Sequence, residues 1–177
     1  MYDSTLAFMI DGIDRLGKST LIDNILNELG YHLVVHYEKP KKLDFYTHDP
    51  LFQYQLHCNR TMFFMINEGI RVIFDRTHLG ECVYAPLYRN YDGDYVFNME
   101  KMTNLKRTKL ILLTTSNFDI LTDDGESFDW SNKEKEQELF IQAFNKSLIP
   151  DKCIIDVHNG NRSYKDPKVI LKEALKI

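Results

Sequence analysis

Eight consecutive residues carry the strongest chemical signal in the chain. Gly12-Ile13-Asp14-Arg15-Leu16-Gly17-Lys18-Ser19 follows the spacing G-x-x-x-x-G-K-[ST], and Thr20 comes next. Such a stretch binds a phosphate chain when it joins a strand to a helix. Backbone N–H groups of the loop and of the helix N-terminus then point at one anion, and the two glycines let the backbone turn and approach it. Lys18 is placed to reach β- and γ-phosphates, and the Ser19 hydroxyl to ligate Mg²⁺. A second acidic group is expected from Asp75, which ends the apolar run Val72-Ile73-Phe74, because ligands of an α/β sheet gather at strand C-termini. Read alone, Asp75 is equally a carboxylate capping the next segment. Together with the loop it reads as a ligand to Mg²⁺-bound water.

The elements that must position these residues are legible around them. Leu6–Ile10 is a short apolar run ending at Asp11-Gly12, as expected of a strand buried on both faces. From Ser19 to Leu29 apolar residues recur at helical spacing, with Gly30 as the stop. Leu33–Val35, Val72–Phe74, Leu110–Leu113 and Cys153–Ile155 read as further strands; Leu51–Asn67, Glu134–Leu148 and the stretch from Pro167 to Leu175 read as helices. Between Ala85 and Glu100, turn chemistry at Asn90-Tyr91-Asp92-Gly93 mixes with helical stretches. Residues 117–133 are polar, acidic and poor in periodicity, and read as a loop or flexible lid. Five apolar strands alternating with helices predict an α/β domain, three αβα layers around a five-stranded parallel sheet. With 177 residues and no repeat or Pro/Gly/Ser-rich linker, one domain spanning 1–177 is expected.

Composition removes several classes of function. Hydrophobic residues make up 44% and charged residues 27%, which is globular and not disordered. Lys plus Arg is 22 against 26 Asp plus Glu, and a net charge of −4 gives no broad attraction to a nucleic-acid polymer. Cys58, Cys82 and Cys153 are odd in number and lack C-x-x-C spacing, so they suggest reduced intracellular thiols, with neither a disulfide framework nor a zinc site. The six histidines show no metal-ligand spacing either. The apolar run near the N-terminus is too short for a signal peptide, and no 18 apolar residues run together. The expectation is a soluble, cytoplasmic protein without a membrane partner, in the host cytoplasm if the chain is viral.

A phosphate loop does not by itself separate a switch, a motor and a small-molecule kinase. No N-K-x-D segment follows a strand, and no D-x-x-G follows Asp75, which argues against a guanine-nucleotide switch. Of seven arginines, Arg15 lies inside the loop, Arg60 on the long helix and Arg76 directly after Asp75. A phosphoryl acceptor needs such cations, since this transfer is catalysed mostly by positioning and charge neutralisation. The order Asp14-Arg15-x-Gly17-Lys18-Ser19-Thr20, then Asn59-Arg60, then Asp75-Arg76 resembles the thymidylate kinase family of P-loop nucleoside monophosphate kinases. It is similar in particular to small bacteriophage members, with deoxynucleoside kinases as related proteins. The matches are sharpest over residues 6–90.

The resemblance implies a P-loop kinase fold and Mg²⁺-ATP as phosphoryl donor. The acceptor it implies is a small nucleotide, a (deoxy)nucleoside monophosphate that becomes the diphosphate. Residues 12–20 would hold the ATP phosphates; Arg60 and Arg76 the acceptor phosphate; Asp14 the neighbourhood of the sugar 3′ hydroxyl; Tyr84 the base pocket, with Tyr88 or Tyr91 in a similar role. Arg15 matches the subgroup whose catalytic arginine lies in the loop, and no arginine between Arg107 and Arg162 is available to the lid. Glu38 stands where these kinases carry an Arg-Glu-Pro segment that organises the acceptor site, and where deoxynucleoside kinases carry a base toward a 5′ hydroxyl, so both reactions stay open. A homodimer is also implied. The pattern departs at Leu56, where the family stacks the base on phenylalanine; Gln53, Gln55, His57 and His78 are alternative base contacts. The lid, with Asp119, Asp123, Asp124, Glu126 and Asp129 and only Lys133 at its end, is acidic for a segment closing over phosphates. Residues 156–160 would lie near the donor adenine. Remaining alternatives are a nucleoside kinase, a nucleotide-binding protein without transfer, and a polynucleotide end kinase.

Overall fold

The computed structural model describes residues 4–30, 33–37, 48–123, 125 and 129–176. Strands β1 (Ala7–Asp11), β2 (Leu33–His36), β3 (Val72–Asp75), β4 (Thr108–Thr114) and β5 (Asp151–Asp156) form one sheet in the order β2-β3-β1-β4-β5, with every neighbouring pair parallel. Each lies where an apolar run stands in the sequence. The helices are α1 (Lys18–Leu29), α2 (His48–Asn67), α3 (Leu79–Tyr84), α4 (Val96–Lys101), α5 (Lys133–Lys146) and α6 (Pro167–Leu175). A π-helical turn, Ala85–Arg89, continues α3.

Handedness distributes the helices. A right-handed crossover from β1 to β2 carries α1 over one face; from β2 the chain steps back through β3 and β4 to β5, so the same hand puts α2, α3, α4 and α5 on the other face. There α3 packs on α5, and α6 returns to pack on α1. The expected three layers result. All residues of β1, β3 and β4 are buried, and Phe8, Met9, Ile10, Phe74 and Leu110–Leu113 form the centre of the core. β2 differs from a strand buried on both faces: it is an edge, with Leu33 51% and Val34 38% exposed.

Two segments are more structured than their sequence suggests. α3 forms immediately after Thr77-His78, where no helix is read from periodicity; it is only six residues long and is held by burial of Leu79, Gly80, Glu81 and Val83. The acidic lid contains two short 3₁₀ turns, Phe118–Ile120 and Trp130–Asn132, whose first N–H groups bond to the side chains of Asn117 and Asp129. Residues 124 and 126–128 lie outside the described residues. No described helix is long and apolar enough to cross a membrane.

Candidate active site

The direction of travel across the sheet reverses at β1, and the site forms there, at the strand C-termini. Ile10 of β1 is in register with Asp75 of β3, and Arg76 N–H continues the pairing by donating to Ile10 O at 3.0 Å. The phosphate loop and the Asp75-Arg76 segment are therefore adjacent by sheet register alone.

Within the loop, Gly12 has φ 136° and Gly17 φ 79°. A Cβ on Gly12 would meet Leu113 O at 2.4 Å, so only glycine lets the loop lie against β4. Gly17 is the left-handed N-cap of α1, which leaves the first N–H groups of the helix directed at the loop. Ile13 and Leu16 are buried and fasten the loop to the core, whereas Arg15, Ser19 and Thr20 are exposed. Lys18 is 8% exposed, and its Nζ donates to Gly12 O at 2.9 Å and Ile13 O at 2.7 Å. Burial lowers its pKa, an effect opposed by Asp14, Asp11 and Asp75. The lysine is thus folded onto its own loop and ready to exchange two carbonyls for phosphate oxygens.

Asp14 gathers cations. Arg76 Nη2 donates to its Oδ1 at 3.1 Å, Lys18 Nζ lies 4.0 Å from the same oxygen, and Lys133 Nζ lies 3.6 Å from Oδ2. Burial would raise the Asp14 carboxyl, but Lys18, Arg76 and Lys133 together hold it below its usual value. Arg15 and Arg76 both have φ 71°, a left-handed conformation unusual for a side chain of this size and concentrated at functional positions. Arg15 O also accepts from Tyr164 OH at 2.7 Å, which brings the segment after β5 against the phosphate loop, where residues 156–160 were expected.

Asp75 is 8% exposed; its Oδ2 is 2.8 Å from His36 Nδ1, and its Oδ1 is buried with no hydrogen-bond partner. It does not act as a cap. An unpartnered carboxylate oxygen at a phosphate loop, with the Ser19 hydroxyl exposed nearby in the loop, fits Mg²⁺. That ion keeps several waters and takes one or two protein oxygens beside substrate phosphates. In keeping with this, no group of three His, Cys, Asp or Glu side chains gathers into a protein-only cage among the described residues.

On the acceptor side, Tyr37 OH donates to Cys58 O at 3.0 Å and ties the end of β2 to α2. Asn59 is buried and donates to Tyr95 OH, which donates to Glu81; Arg89 and Tyr91 OH also reach Glu81. Arg60 is exposed on α2, and no ion pair joins it to Asp14 or Arg76 among the described residues. Tyr84 stacks on Tyr88 at 6.2 Å and meets Phe140 edge-on at 5.9 Å, between α3 and α5. His78 is not a base contact: it is fully buried, with Nε2 2.7 Å from Glu100 Oε1. Glu38 and the basic cluster Lys39, Lys41 and Lys42 lie outside the described residues.

Sequence reasoning missed two groups. Asp11 ends β1 as Asp75 ends β3, and accepts from Gly12 N, Thr77 N and Thr77 Oγ1 at 3.1, 3.1 and 2.7 Å, binding the loop to the segment after β3. Its burial raises its pKa against those bonds and Lys18. The rule that identified Asp75 applies equally to Asp11. Lys133, assigned no role as the end of the acidic lid, is buried beside Asp14.

No protein-family model and no curated protein sequence matches the chain. Solved structures do. The YorR protein from Bacillus subtilis, in complex with phosphorylated GDP, superposes with TM-score 0.60 at 14% identity, covering 88% of each chain. Thymidylate kinase from Candida albicans gives 0.56 at 15%, covering 95% of this chain and 88% of that one. Deoxyadenosine kinase from M. mycoides with bound dCTP gives 0.50 at 16%, covering 97% of this chain and all of that one. At these identities the likeness is one of architecture, and with the loop geometry it establishes that the chain has the fold of the P-loop nucleotide kinases.

Proposed function

We propose that this chain is a Mg²⁺-ATP-dependent phosphotransferase that moves the γ-phosphoryl group to a (deoxy)nucleoside monophosphate, as thymidylate kinases do. The observation that carries this reading is the assembly on Asp14: Lys18 from the loop and Arg76 from the end of β3 share one carboxylate beside the unpartnered oxygen of Asp75. A neutral nucleoside needs chiefly a base. An acceptor that already carries phosphate needs cations held in reserve, and Asp14 holds them.

The residues take distinct parts. Backbone N–H groups of 12–20 bind the β- and γ-phosphates with Lys18, while Ser19 and Asp75 would hold Mg²⁺, which when bound neutralises charge on the phosphates. Arg76 and Arg60 receive the acceptor phosphate, and Asp14, released from Arg76, faces the acceptor sugar. Arg15 bridges donor and acceptor phosphates as charge builds. An anionic oxygen of the acceptor phosphate bonds to Pγ, the bond from Pγ to the β–γ bridging oxygen breaks, and its electron pair leaves on ADP. No proton transfer is required, so Glu38 in this reading organises the acceptor site.

An ADP-release assay with Mg²⁺-ATP against paired nucleosides and monophosphates tests the proposal, with thymidylate, deoxyuridylate and hydroxymethyl derivatives included. Turnover of a monophosphate and not its nucleoside is expected. Turnover of nucleosides alone would move the chemistry to the 5′ hydroxyl and to Glu38 as base. ATP hydrolysis unaffected by any acceptor would identify a nucleotide-binding protein that does not transfer.

A further inference from the structure

Lys133 opens α5 at the root of the lid, and its ammonium is only 5% exposed. It donates one hydrogen bond, at 2.8 Å to Glu136 Oε2. Asp14 Oδ2, at 3.6 Å, is too far for a good hydrogen bond, so two of the three N–H groups have none among the described residues. Burying an ammonium is costly unless it is fully paired, so a purely structural lysine would be better satisfied than this one.

Its direction is fixed from behind. Glu136 is 1% exposed and uses its second oxygen to accept from Tyr88 OH, in the π-helical turn, at 2.8 Å. The aromatic ring of Trp130 lies 5.9 Å from Nζ. Lys133 also lines a cavity of about 130 Å³ with Phe118, Leu121 and Trp130, so the space beside it is not filled by protein. Counting charges, Lys18, Arg76 and Lys133 carry three positive charges against two negative ones on Asp14 and Glu136. The Asp14 side chain, 28% exposed, is the part of this cluster open to solvent.

We propose that Lys133 is a catalytic residue that binds the transferring γ-phosphoryl group, with Glu136 and Tyr88 as the positioning residues that aim it. The proposal rests on the kinase reading above. When the nucleotide binds, Lys133 exchanges Asp14 for oxygens of the γ-phosphoryl group and keeps Glu136. It donates hydrogen bonds to non-bridging oxygens while Pγ passes from the bridging oxygen of ATP to the acceptor oxygen, and it gives up no proton. A lid without an arginine therefore still contributes a cation, from its buried root and not from its acidic tip.

The test reads the γ-phosphate without requiring turnover. Dissociation constants of ADP and of a non-hydrolysable ATP analogue are measured with Mg²⁺ by calorimetry, with emission of Trp130, the single tryptophan, as a second signal. K133M should weaken the analogue about tenfold or more while leaving ADP within about twofold, and K133R should recover most of the loss. In turnover K133M should lower kcat about 10²-fold, the scale of one lost electrostatic contact to the transition state. Because K133M leaves Glu136 buried and unpaired, K133M/E136Q is measured beside it. If that double variant, melting at the wild-type temperature, binds ADP and the analogue as wild type does, Lys133 does not meet the γ-phosphate and the proposal fails. Failure of the kinase reading would show separately, as wild-type protein that turns over no acceptor.

Discussion

Replacing Asp75 by asparagine separates what this residue does for the fold from what it does for the metal. Oδ2 faces His36 at 2.8 Å and Oδ1 is buried and unpartnered. A buried polar atom left unsatisfied costs about 1–3 kcal/mol, more when charged. Asparagine has the same shape, can keep an oxygen toward His36 and removes the charge. D75N without metal should therefore be as stable as wild type or more stable by about 1 kcal/mol, a rise in Tm of roughly 2–4 °C for a chain of this size. The gain comes at the expense of function, because outer ligands of a metal site carry about 10- to 100-fold in affinity or activity. Thermal melting is run with ATP alone and with Mg²⁺-ATP, and ADP release is titrated with Mg²⁺. The extra stabilisation that Mg²⁺ adds to ATP should disappear in D75N, and half-saturation by Mg²⁺ should rise about 10- to 100-fold. A variant that melts well below wild type yet keeps an unchanged Mg²⁺ requirement would make Asp75 a structural partner of His36 and refute the reasoning.

Three further perturbations probe other parts of the account. Gly12→Ala places a Cβ 2.4 Å from Leu113 O at φ 136°, so it should cost at least the roughly 1–3 kcal/mol of a strained backbone position and abolish ATP binding, as read by melting and calorimetry. Arg60→Ala should raise the acceptor KM about 10- to 100-fold, the scale of a charged hydrogen bond, with the ATP KM within about twofold; equal effects on both would remove Arg60 from the acceptor site. Glu100→Ala removes a carboxylate that accepts from His78, Ser147 Oγ and Leu148 N, and should cost about 3–5 kcal/mol in urea denaturation. Burial pushes the Glu100 carboxyl up, but its bonds to His78, Leu148 N–H and Ser147 outweigh that and hold it below the usual glutamate value. Its contribution is full above that usual value and is lost as pH falls toward the lowered one, so the gap between wild type and variant should narrow below about pH 4.5.

How much of this was legible in the sequence depends on the distance over which each feature is encoded. The phosphate loop is local: Gly12, Gly17, Lys18 and the following amphipathic helix lie within one turn-and-helix unit, and spacing alone places them. The strands are nearly local, since runs such as Val72–Phe74 are apolar because both faces are covered. Asp75 follows from its strand end, and Asp11 was available by the same reasoning. The strand order is not local, and the exposure of Leu33 and Val34 follows from β2 being an edge. Hydrogen bonds and ion pairs across long separations are invisible to periodicity. Lys133 meets Asp14 across the lid and the sheet, Tyr88 meets Glu136 between the π-helical turn and α5, and His78 meets Glu100 inside the core. A histidine or tyrosine of this kind reads as a base contact until its buried partner is known.

The most direct test of the central claim is ³¹P NMR of purified protein mixed with ATP, Mg²⁺ and the deoxynucleoside monophosphate that gives the highest ADP release. Transfer to a monophosphate predicts that resonances of ADP and of a second nucleoside diphosphate grow in equal amounts as ATP and the monophosphate decline, with no inorganic phosphate. ADP growing with inorganic phosphate alone, or a new monophosphate forming only when a nucleoside is supplied, would contradict it.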